Sequence, residues 1–198
     1  MTTATLLGEP LPIELMNTVW ADRAGKHDAL SAPADVAEWL DRVGSSRVAG
    51  LDRLPAADLD DLRRRLLALR TAFLRLAGEA TGDTRWATPD AESLHRAVAD
   101  VNAAVVPRSP RLVWADGQAT TRQERAPSDP AAAVLSTFAE EAVALFGDGN
   151  ASRLRVCDGP DCGLYFVKDH PRREWCSPTC GNRVRAARHY RRHRKPVT

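Results

Sequence analysis

The sequence lacks the features that mark several common protein classes. It has no apolar run approaching the roughly 18 residues that cross a membrane, and residues 1–15 lack the basic and apolar regions of a secretory signal. It has no Gly-x-Gly-x-x-Gly or phosphate-loop motif, and no Ser or Cys in a known activating motif for a nucleophile. We therefore expect a cytoplasmic protein with no membrane contact and no enzymatic activity.

Lysine is scarce, and the charge is unevenly distributed. Only three of the 28 basic residues are Lys, and the formal net charge is +2. Residues 153–198 hold 12 Lys and Arg against 4 Asp and Glu, a balance of +8, whereas residues 1–152 hold 16 against 22, a balance of −6. This segregation indicates a polyanion-binding segment attached to an acidic body. The length of 198 residues allows one ordinary domain and a small second module.

The first 149 residues predict a helical domain with one small β-hairpin. Hydrophobic periodicity and terminal residues define four helices, which run from Ser31-Pro33 to Gly44, from near Pro55 to Gly78, from Thr88-Pro89 through Val105, and from about Pro130 to Phe146. The second helix is expected to pack lengthwise against another, since its apolar residues form an a/d seam of Leu59, Leu62, Leu66, Leu69, Phe73 and Leu76.

Two shorter signals complete the organisation of the chain. Asp116-Gly117 separates the runs 111–115 and 118–122 and predicts a two-residue hairpin turn. The run Gly147 to Asn150 is rich in turn residues and predicts a boundary, with one domain over residues 1–149 and a second over residues 150–198.

All four cysteines fall within 24 positions: Cys157, Cys162, Cys176 and Cys180. Two close pairs separated by 13 residues suit one tetrahedral zinc ion. The first pair lies in a turn-rich run, residues 164–167 predict a strand, and Ser177-Pro178 predicts the start of a helix that continues through Arg194. A knuckle, a short hairpin and a helix supplying the last ligands predict a treble-clef-like zinc finger that holds one structural Zn2+.

Other uses of four thiols remain open from the sequence. An iron–sulfur cluster takes the same four ligands, whereas two disulfides do not suit a cytosolic protein. A redox dithiol normally has two residues between its cysteines, and neither pair has that spacing. Because four Cys ligands close the coordination sphere, we expect a metal that builds structure rather than one that activates water.

The helix after Cys180 predicts a surface for duplex DNA. Its candidate DNA-binding residues are mainly cationic, and several form a stripe at helical spacing: Asn182, Arg183, Arg185, Arg188, Arg191, Arg192, Arg194 and Lys195. Such a helix can follow a phosphate backbone or enter the major groove. Because one short helix contacts few base pairs, specific binding would call for a homodimer. The alternatives are RNA and an acidic protein surface.

The string from Arg173 to Arg183 resembles the CGNR zinc finger, a family named for the Cys-Gly-Asn-Arg run that here is 180–183. Phe166, Asp169 and Trp175 are also similar to that family. Residues 11–20, 28–30 and 36–40 resemble the ABATE domain that commonly precedes this finger, although ABATE domains usually have Asp where this chain has Glu14.

Together these resemblances imply a bacterial, stress-responsive transcription regulator whose ABATE domain senses a signal or dimerises. Asn17, Thr18 and Asp28 are polar residues in an otherwise apolar stretch, and they could line a pocket for a small-molecule effector. The alternative is that they cap helices or satisfy buried backbone groups.

Overall fold

The computed structural model describes residues 4–86, 90–107, 109–113, 121–125 and 128–193. These residues form six α-helices and three two-stranded antiparallel sheets: α1 (Leu11–Met16), β1 (Val19–Asp22), β2 (Gly25–Asp28), α2 (Pro33–Val43), α3 (Leu59–Thr81), α4 (Ala91–Ala104), β3 (Ser109–Val113), β4 (Thr121–Arg125), α5 (Pro130–Phe146), β5 (Leu154–Val156), β6 (Tyr165–Val167) and α6 (Pro178–His193). The prediction of a mainly helical chain with small hairpins is confirmed.

The helices α2 and α5 lie where the sequence predicts them. At the start of α5 the Asp129 carboxylate accepts a hydrogen bond from the Ala131 N–H at 2.9 Å, and the helix ends before Gly147. The helix α2 begins at Pro33 and ends before Gly44. Proline in the first turn and glycine after the last therefore mark both helices correctly.

The helix α3 extends further than its predicted end at Gly78. It begins at Leu59, after a 3₁₀ turn over residues 56–58, and continues to Thr81. Gly82 has φ +74° and ends the helix in the left-handed conformation that glycine adopts at little cost. A Cβ at Gly78 would lie 2.7 Å from the Asp83 carbonyl oxygen, so Gly78 allows a close approach of the following chain instead of ending the helix.

The third helix and the predicted hairpin are both present but displaced. The helix α4 begins at Ala91, with the Asp90 carboxylate accepting from the Ser93 N–H, and Thr88-Pro89 lie outside the described residues. The strands β3 and β4 pair with Val113 opposite Thr121, one residue out of step with a two-residue turn at 116–117. The predicted turn residues Asp116-Gly117 themselves lie outside the described part of the chain.

No helix or strand was predicted at the positions of four elements, which are α1, β1, β2 and β5. All six residues of α1 are buried, so the helix has no polar face and gives no amphipathic signal. The hairpin of β1 and β2 places Trp20 opposite His27, with the two rings stacked at 5.2 Å. The strand β5 has only three residues and is recognisable through its pairing with β6.

The main core surrounds α3, which packs against α1, α2, α4 and α5. Four residues of the predicted seam are buried in it, namely Leu62, Leu66, Leu69 and Phe73, whereas Leu59 and Leu76 are half-buried. The same core continues past Gly147 to Asn150 and includes Leu154, Tyr165 and Val167. None of the helices among the described residues combines the length and apolar character needed to span a membrane.

Candidate metal centre and basic helix

The first cysteine pair lies in the tight connection between β5 and β6. The Cys157 N–H donates to the Leu164 carbonyl at 2.9 Å, and the Cys162 N–H donates to the Gly159 carbonyl at 3.1 Å. Asp161 has φ +53°, a left-handed conformation that Asp tolerates better than most residues. These bonds fold the loop so that the sulfurs of Cys157 and Cys162 lie close together, within 4.8 Å.

The second pair lies at the start of α6. The Ser177 hydroxyl accepts from the Cys180 N–H at 3.3 Å, and the Ser177 carbonyl accepts from the Gly181 N–H at 3.2 Å. Cys176 precedes the helix and Cys180 lies in its first turn, so the helix start holds their sulfurs 3.4 Å apart. This is the arrangement that the Ser-Pro signal predicts.

The four sulfurs form one cluster. All lie within 4.8 Å of one another, and the Cys162 sulfur is 3.7 Å from that of Cys176 and 3.6 Å from that of Cys180. Four sulfurs bound tetrahedrally at about 2.3 Å would lie about 3.8 Å apart. Three of the cysteines are buried and Cys162 is half-buried. The spacing and the soft donor set are consistent with one structural zinc ion.

The thiols of the cluster influence one another strongly. Hydrogen bonds with the thiols of Cys162 and Cys176 lower the pKa of Cys157 to about 3. Hydrogen bonding with Cys157 raises the pKa of Cys176 above its usual range. The Cys157 thiolate is stabilised by its neighbours' protons, whereas a thiolate at Cys176 would be opposed by the negative charge beside it. A bound cation removes that opposition, which is why the cluster suits a metal.

One basic side chain is turned toward the cluster. The Arg183 guanidinium donates to the Cys180 sulfur at 2.8 Å, and this contact raises the pKa of Arg183. Hydrogen bonds to ligand sulfurs orient them and offset part of the thiolate charge. Arg183 was predicted as a DNA contact; in the structure its guanidinium lies against the Cys180 sulfur.

Trp175 joins the cluster to α6. It packs against the buried cysteines, and a Cβ on Gly181 would lie 3.0 Å from the Trp175 ring. The Arg185 guanidinium lies over the same ring, 5.9 Å from its centre. The first turns of α6 are thus fixed by an indole on one side and by Cys180 on the other.

The rest of α6 projects into solvent. Val184 is buried and Ala187 half-buried, and every side chain described beyond Ala187 is exposed. The predicted DNA contacts Asn182, Arg183, Arg185, Arg188 and Arg192 are all exposed. Arg191 is placed in the helix by its backbone, while Arg194 and Lys195 lie outside the described residues.

Comparison with known protein families matches both parts of the chain. Residues 9–149 match ABATE, described as "Putative stress-induced transcription regulator", and residues 153–193 match the CGNR zinc finger. The chain belongs to the ABATE family. The order of the two matches is the order that the sequence motifs predict. No curated protein matches the chain.

The strands of the CGNR finger are fixed to the ABATE domain by Asn17. Its amide donates to the Tyr165 carbonyl at 3.0 Å and accepts from the Tyr165 N–H at 2.8 Å. The Tyr165 hydroxyl donates to Asp83 at 2.5 Å. Burial and the hydrogen bond to Asp83 raise the pKa of Tyr165, so the phenol stays protonated. Both ends of one tyrosine are therefore bound to the ABATE domain.

Two arginines contact the loop that precedes this tyrosine. Arg85 donates to the Gly163 carbonyl at 2.8 Å, and Arg23 pairs with Asp161 at 2.9 Å. Gly163 has φ +115°, a conformation that strains other residues, and a Cβ there would lie 2.0 Å from an Arg85 nitrogen, so the guanidinium would have to shift. The knuckle that carries the first cysteine pair is thus contacted by two ABATE arginines.

Glu9 and Arg173 form a second connection between the ABATE domain and the finger, and the sequence did not predict it. The Glu9 carboxylate accepts from the Val167 N–H at 3.0 Å and pairs with Arg173, which also donates to the Cys176 carbonyl at 3.2 Å. Arg173 belongs to the CGNR-like string, so the sequence did mark this residue as part of the finger. Glu9 lies 164 positions from its partner, in a segment with no periodic pattern.

The three residues predicted for an effector are engaged by the chain itself. Arg70 donates to both oxygens of Asp28, at 2.8 and 2.6 Å, and to the Thr18 hydroxyl at 2.8 Å. Burial raises the pKa of Asp28, but the hydrogen bonds from Arg70 and the Leu30 N–H, together with the charges of Arg70 and Arg63, outweigh burial and lower the pKa overall. Asn17 lies apart, where it also lines a cavity of about 160 Å³ beside Cys162. Effector contact by these residues stays a prediction.

Proposed function

We propose that this ABATE-family protein is a transcription regulator that contacts duplex DNA with α6 and requires zinc to order that helix. One observation carries the proposal: α6 is fixed at its start by Cys180 and Trp175, and further along it presents the exposed cations Arg188 and Arg192 to solvent. A short cationic helix would be marginal alone, so an anchor at one end is what lets it keep its shape.

The charge distribution favours a nucleic acid as the partner. The balance of +8 over residues 153–198 lies next to a body of balance −6. Phosphates release counterions when they meet such a cationic surface, and the acidic body disfavours contact elsewhere. The helix is about as wide as the major groove, at roughly 10–12 Å, so α6 can lie within it.

The metal ligands in this proposal are Cys157, Cys162, Cys176 and Cys180, in a finger of treble-clef type. Zinc bound there would supply folding free energy rather than catalysis, since four sulfurs leave no position for water. Arg183 would then hold Cys180 in place and reduce the negative charge near DNA.

A homodimer and a small-molecule effector complete the proposal. Specific recognition by one short helix favours two copies, because each reads few base pairs. A cavity of about 490 Å³ between the ABATE domain and the finger offers room for an effector, and Glu9, Val167 and Arg173 are among the residues that line it. A ligand bound there would touch both parts of the chain.

The proposal is tested by fluorescence anisotropy of the zinc-loaded full chain on a labelled random-sequence duplex, across a salt series. We expect affinity to fall steeply with salt, and Arg188→Ala to lower the log–log slope by about 0.9, the share of one phosphate contact. The matched control is Arg96→Ala on α4, an exposed arginine of the ABATE domain that pairs with Glu92, and it should leave the slope unchanged.

The other outcomes identify the alternative partners. Binding to single-stranded RNA of the same length without binding to the duplex would contradict the DNA proposal and favour RNA. No binding to either nucleic acid at low salt would favour an adaptor role, in which the finger docks on an acidic protein surface. Equal salt slopes for Arg188→Ala and the parent would contradict the proposal that Arg188 of α6 contacts the phosphates.

A further inference from the structure

The exposed surface of α6 has two chemically different faces. Successive residues of a helix are about 100° apart, which places Asn182, Ala186, His189 and Tyr190 around the side opposite the buried Val184. Arg185, Arg188 and Arg192 lie together on one flank. None of these four outward-facing residues is Lys, Arg, Asp or Glu. The face is bordered by the three arginines on one side and by Arg183, whose guanidinium is turned toward Cys180, on the other.

The side chains of the outward face suit base edges better than phosphates. Tyr190 is 75% exposed, which is unusual for so large an aromatic side chain, and it stands against His189 with an edge-on ring contact at 6.2 Å. Ala186 and Tyr190 are one helical turn apart and form a small apolar strip. A helix that only neutralised phosphates would gain nothing from an exposed apolar strip.

We infer that α6 reads DNA sequence through this outward face, Asn182, Ala186, His189 and Tyr190, while the arginine flank holds the phosphates. The inference rests on the proposed function and goes beyond it by separating specificity from affinity. Adenine offers an adjacent donor and acceptor to an amide, and the thymine methyl suits an apolar contact. Asn182 and Ala186 therefore favour A·T base pairs.

The geometry of Asn182 allows this role. Its Oδ1 accepts from Arg185 at 2.6 Å, and an amide oxygen has a second lone pair for a base. Arg185 in turn lies over the ring of Trp175, next to the metal cluster. The amide is thus positioned by the ordered first turns of the helix, whereas Ala186 and Tyr190 stand further out along it.

The test selects preferred duplexes from a random-sequence library with the zinc-loaded full chain, and repeats the selection with two variants of the outward face. We expect Ala186→Gln and Tyr190→Ala to keep the parent's salt slope on random duplex, because the phosphate contribution does not depend on these side chains. Their base preference at one or two positions should change by about tenfold, the size of one good base contact.

Arg188→Ala supplies the contrasting arm. It should weaken binding to every sequence alike and lower the slope by about 0.9, with the selected motif unchanged. Zinc content and helicity, measured for each variant, must match the parent, so that a change in motif cannot arise from a finger that has lost its fold.

Distinct results would overturn the inference. A parent that binds duplex but enriches no motif, or outward-face variants that select the parent's motif, would show that this face does not read bases while leaving the proposed function standing. A motif lost together with a change in molecular mass would make Tyr190 a contact between two copies instead. A parent that does not bind duplex at all would refute the proposed function itself.

Discussion

The strand half and the helix half of the CGNR finger differ in how they meet the rest of the protein. Tyr165 of β6 is 2% exposed and belongs to the main core, whereas Tyr190 of α6 is 75% exposed and touches solvent. The chain has only these two tyrosines. Between the halves lies the cysteine cluster, which takes one pair of ligands from each.

This difference shows what the metal site would do for the protein. The knuckle with Cys157 and Cys162 is already positioned by ABATE contacts to Asn17, Arg85 and Arg23. The start of α6 is held by the ABATE domain only indirectly, because Glu9 pairs with Arg173 of the finger, which donates to the Cys176 carbonyl. Zinc would therefore attach an exposed cationic helix to a preformed half-site, rather than fold a whole module from a random chain.

The largest effect is expected from Cys176→Ser, which removes a ligand at the junction of the two halves. Structural zinc in finger peptides contributes about 10–16 kcal/mol, so loss of the ion should release α6. Zinc analysis should give well below one ion per chain, and duplex affinity should fall by more than about tenfold as the helix loses its anchor. The ABATE domain should remain folded.

The control for this prediction is Thr179→Ala, an exposed position in the same turn between the two ligands. It should retain zinc and affinity. A Cys176→Ser protein that keeps one zinc and binds duplex as the parent does would show that α6 is ordered by Trp175 and Arg173 without the metal.

Asn17→Ala should have the next largest effect, since it removes the double hydrogen bond that fixes the strand half. The Tyr165 N–H and carbonyl would be left buried without partners, at about 1–3 kcal/mol each. We expect the free energy of unfolding, measured in urea, to fall by about 2–6 kcal/mol. The zinc affinity should fall too, because the first pair of ligands loses its support.

Asn102→Ala, at an exposed position of α4, is the matched control and should change stability by less than about 0.5 kcal/mol. If Asn17→Ala behaved like this control, the strand half would be held by its apolar contacts alone, and the contrast between the two halves would rest on burial rather than on specific bonds.

The sequence predicted the chemistry of the site better than its connections. The four cysteines and the start of α6 follow from local spacing, because each ligand pair closes within a short loop or a helical turn. The partner of Cys180 could also have been anticipated, since Arg183 follows it by three residues on one helix face.

The contacts of Asn17 and Glu9 could not have been anticipated. Each joins one polar side chain near the start of the chain to β6 across roughly 150 positions, and no periodicity connects them. The absence of a local signal for distant contacts also bears on the domain boundary predicted at Gly147 to Asn150. Turn residues do mark a change in local structure there, but the hydrophobic core continues across it through Leu154 and Tyr165, and packing between distant segments leaves no local pattern.

The two tyrosines allow a direct comparison of the halves. Tyr165→Phe removes the hydrogen bond to Asp83, and bonds to charged groups contribute about 1.5–3 kcal/mol. We expect a loss of about 2 kcal/mol in urea at pH 7, whereas Tyr190→Phe should leave the stability unchanged. Equal effects of the two substitutions would contradict the difference in anchoring.

The pH dependence of the Tyr165 contribution has a definite sign. Folding raises the pKa of Tyr165 above its ordinary value of 10.0. Its stabilising contribution is therefore complete below pH 10 and is lost as the pH rises through the raised value. In a spectrophotometric titration of the folded parent, a phenol should ionise later than pH 10, and Tyr165→Phe should remove that late step.

The smallest effect is expected from Ala186→Gly in the projecting part of α6. Glycine in a helix costs about 1 kcal/mol relative to alanine, but this segment buries little, so its fraying need not be coupled to the core. The unfolding free energy in guanidinium, followed by tryptophan fluorescence, should change by less than about 0.5 kcal/mol, while hydrogen exchange at the end of α6 accelerates.

Ala139→Gly is the matched substitution in α5, where the side chain is fully buried in the main core. It combines the same backbone effect with a lost methyl contact, so we expect a decrease of about 1–2 kcal/mol. A loss at Ala186 as large as that at Ala139 would mean that the outer turns of α6 unfold together with the ABATE core. The helix would then be a fixed part of one cooperative unit, and its exposure alone could not be taken as freedom to enter a groove.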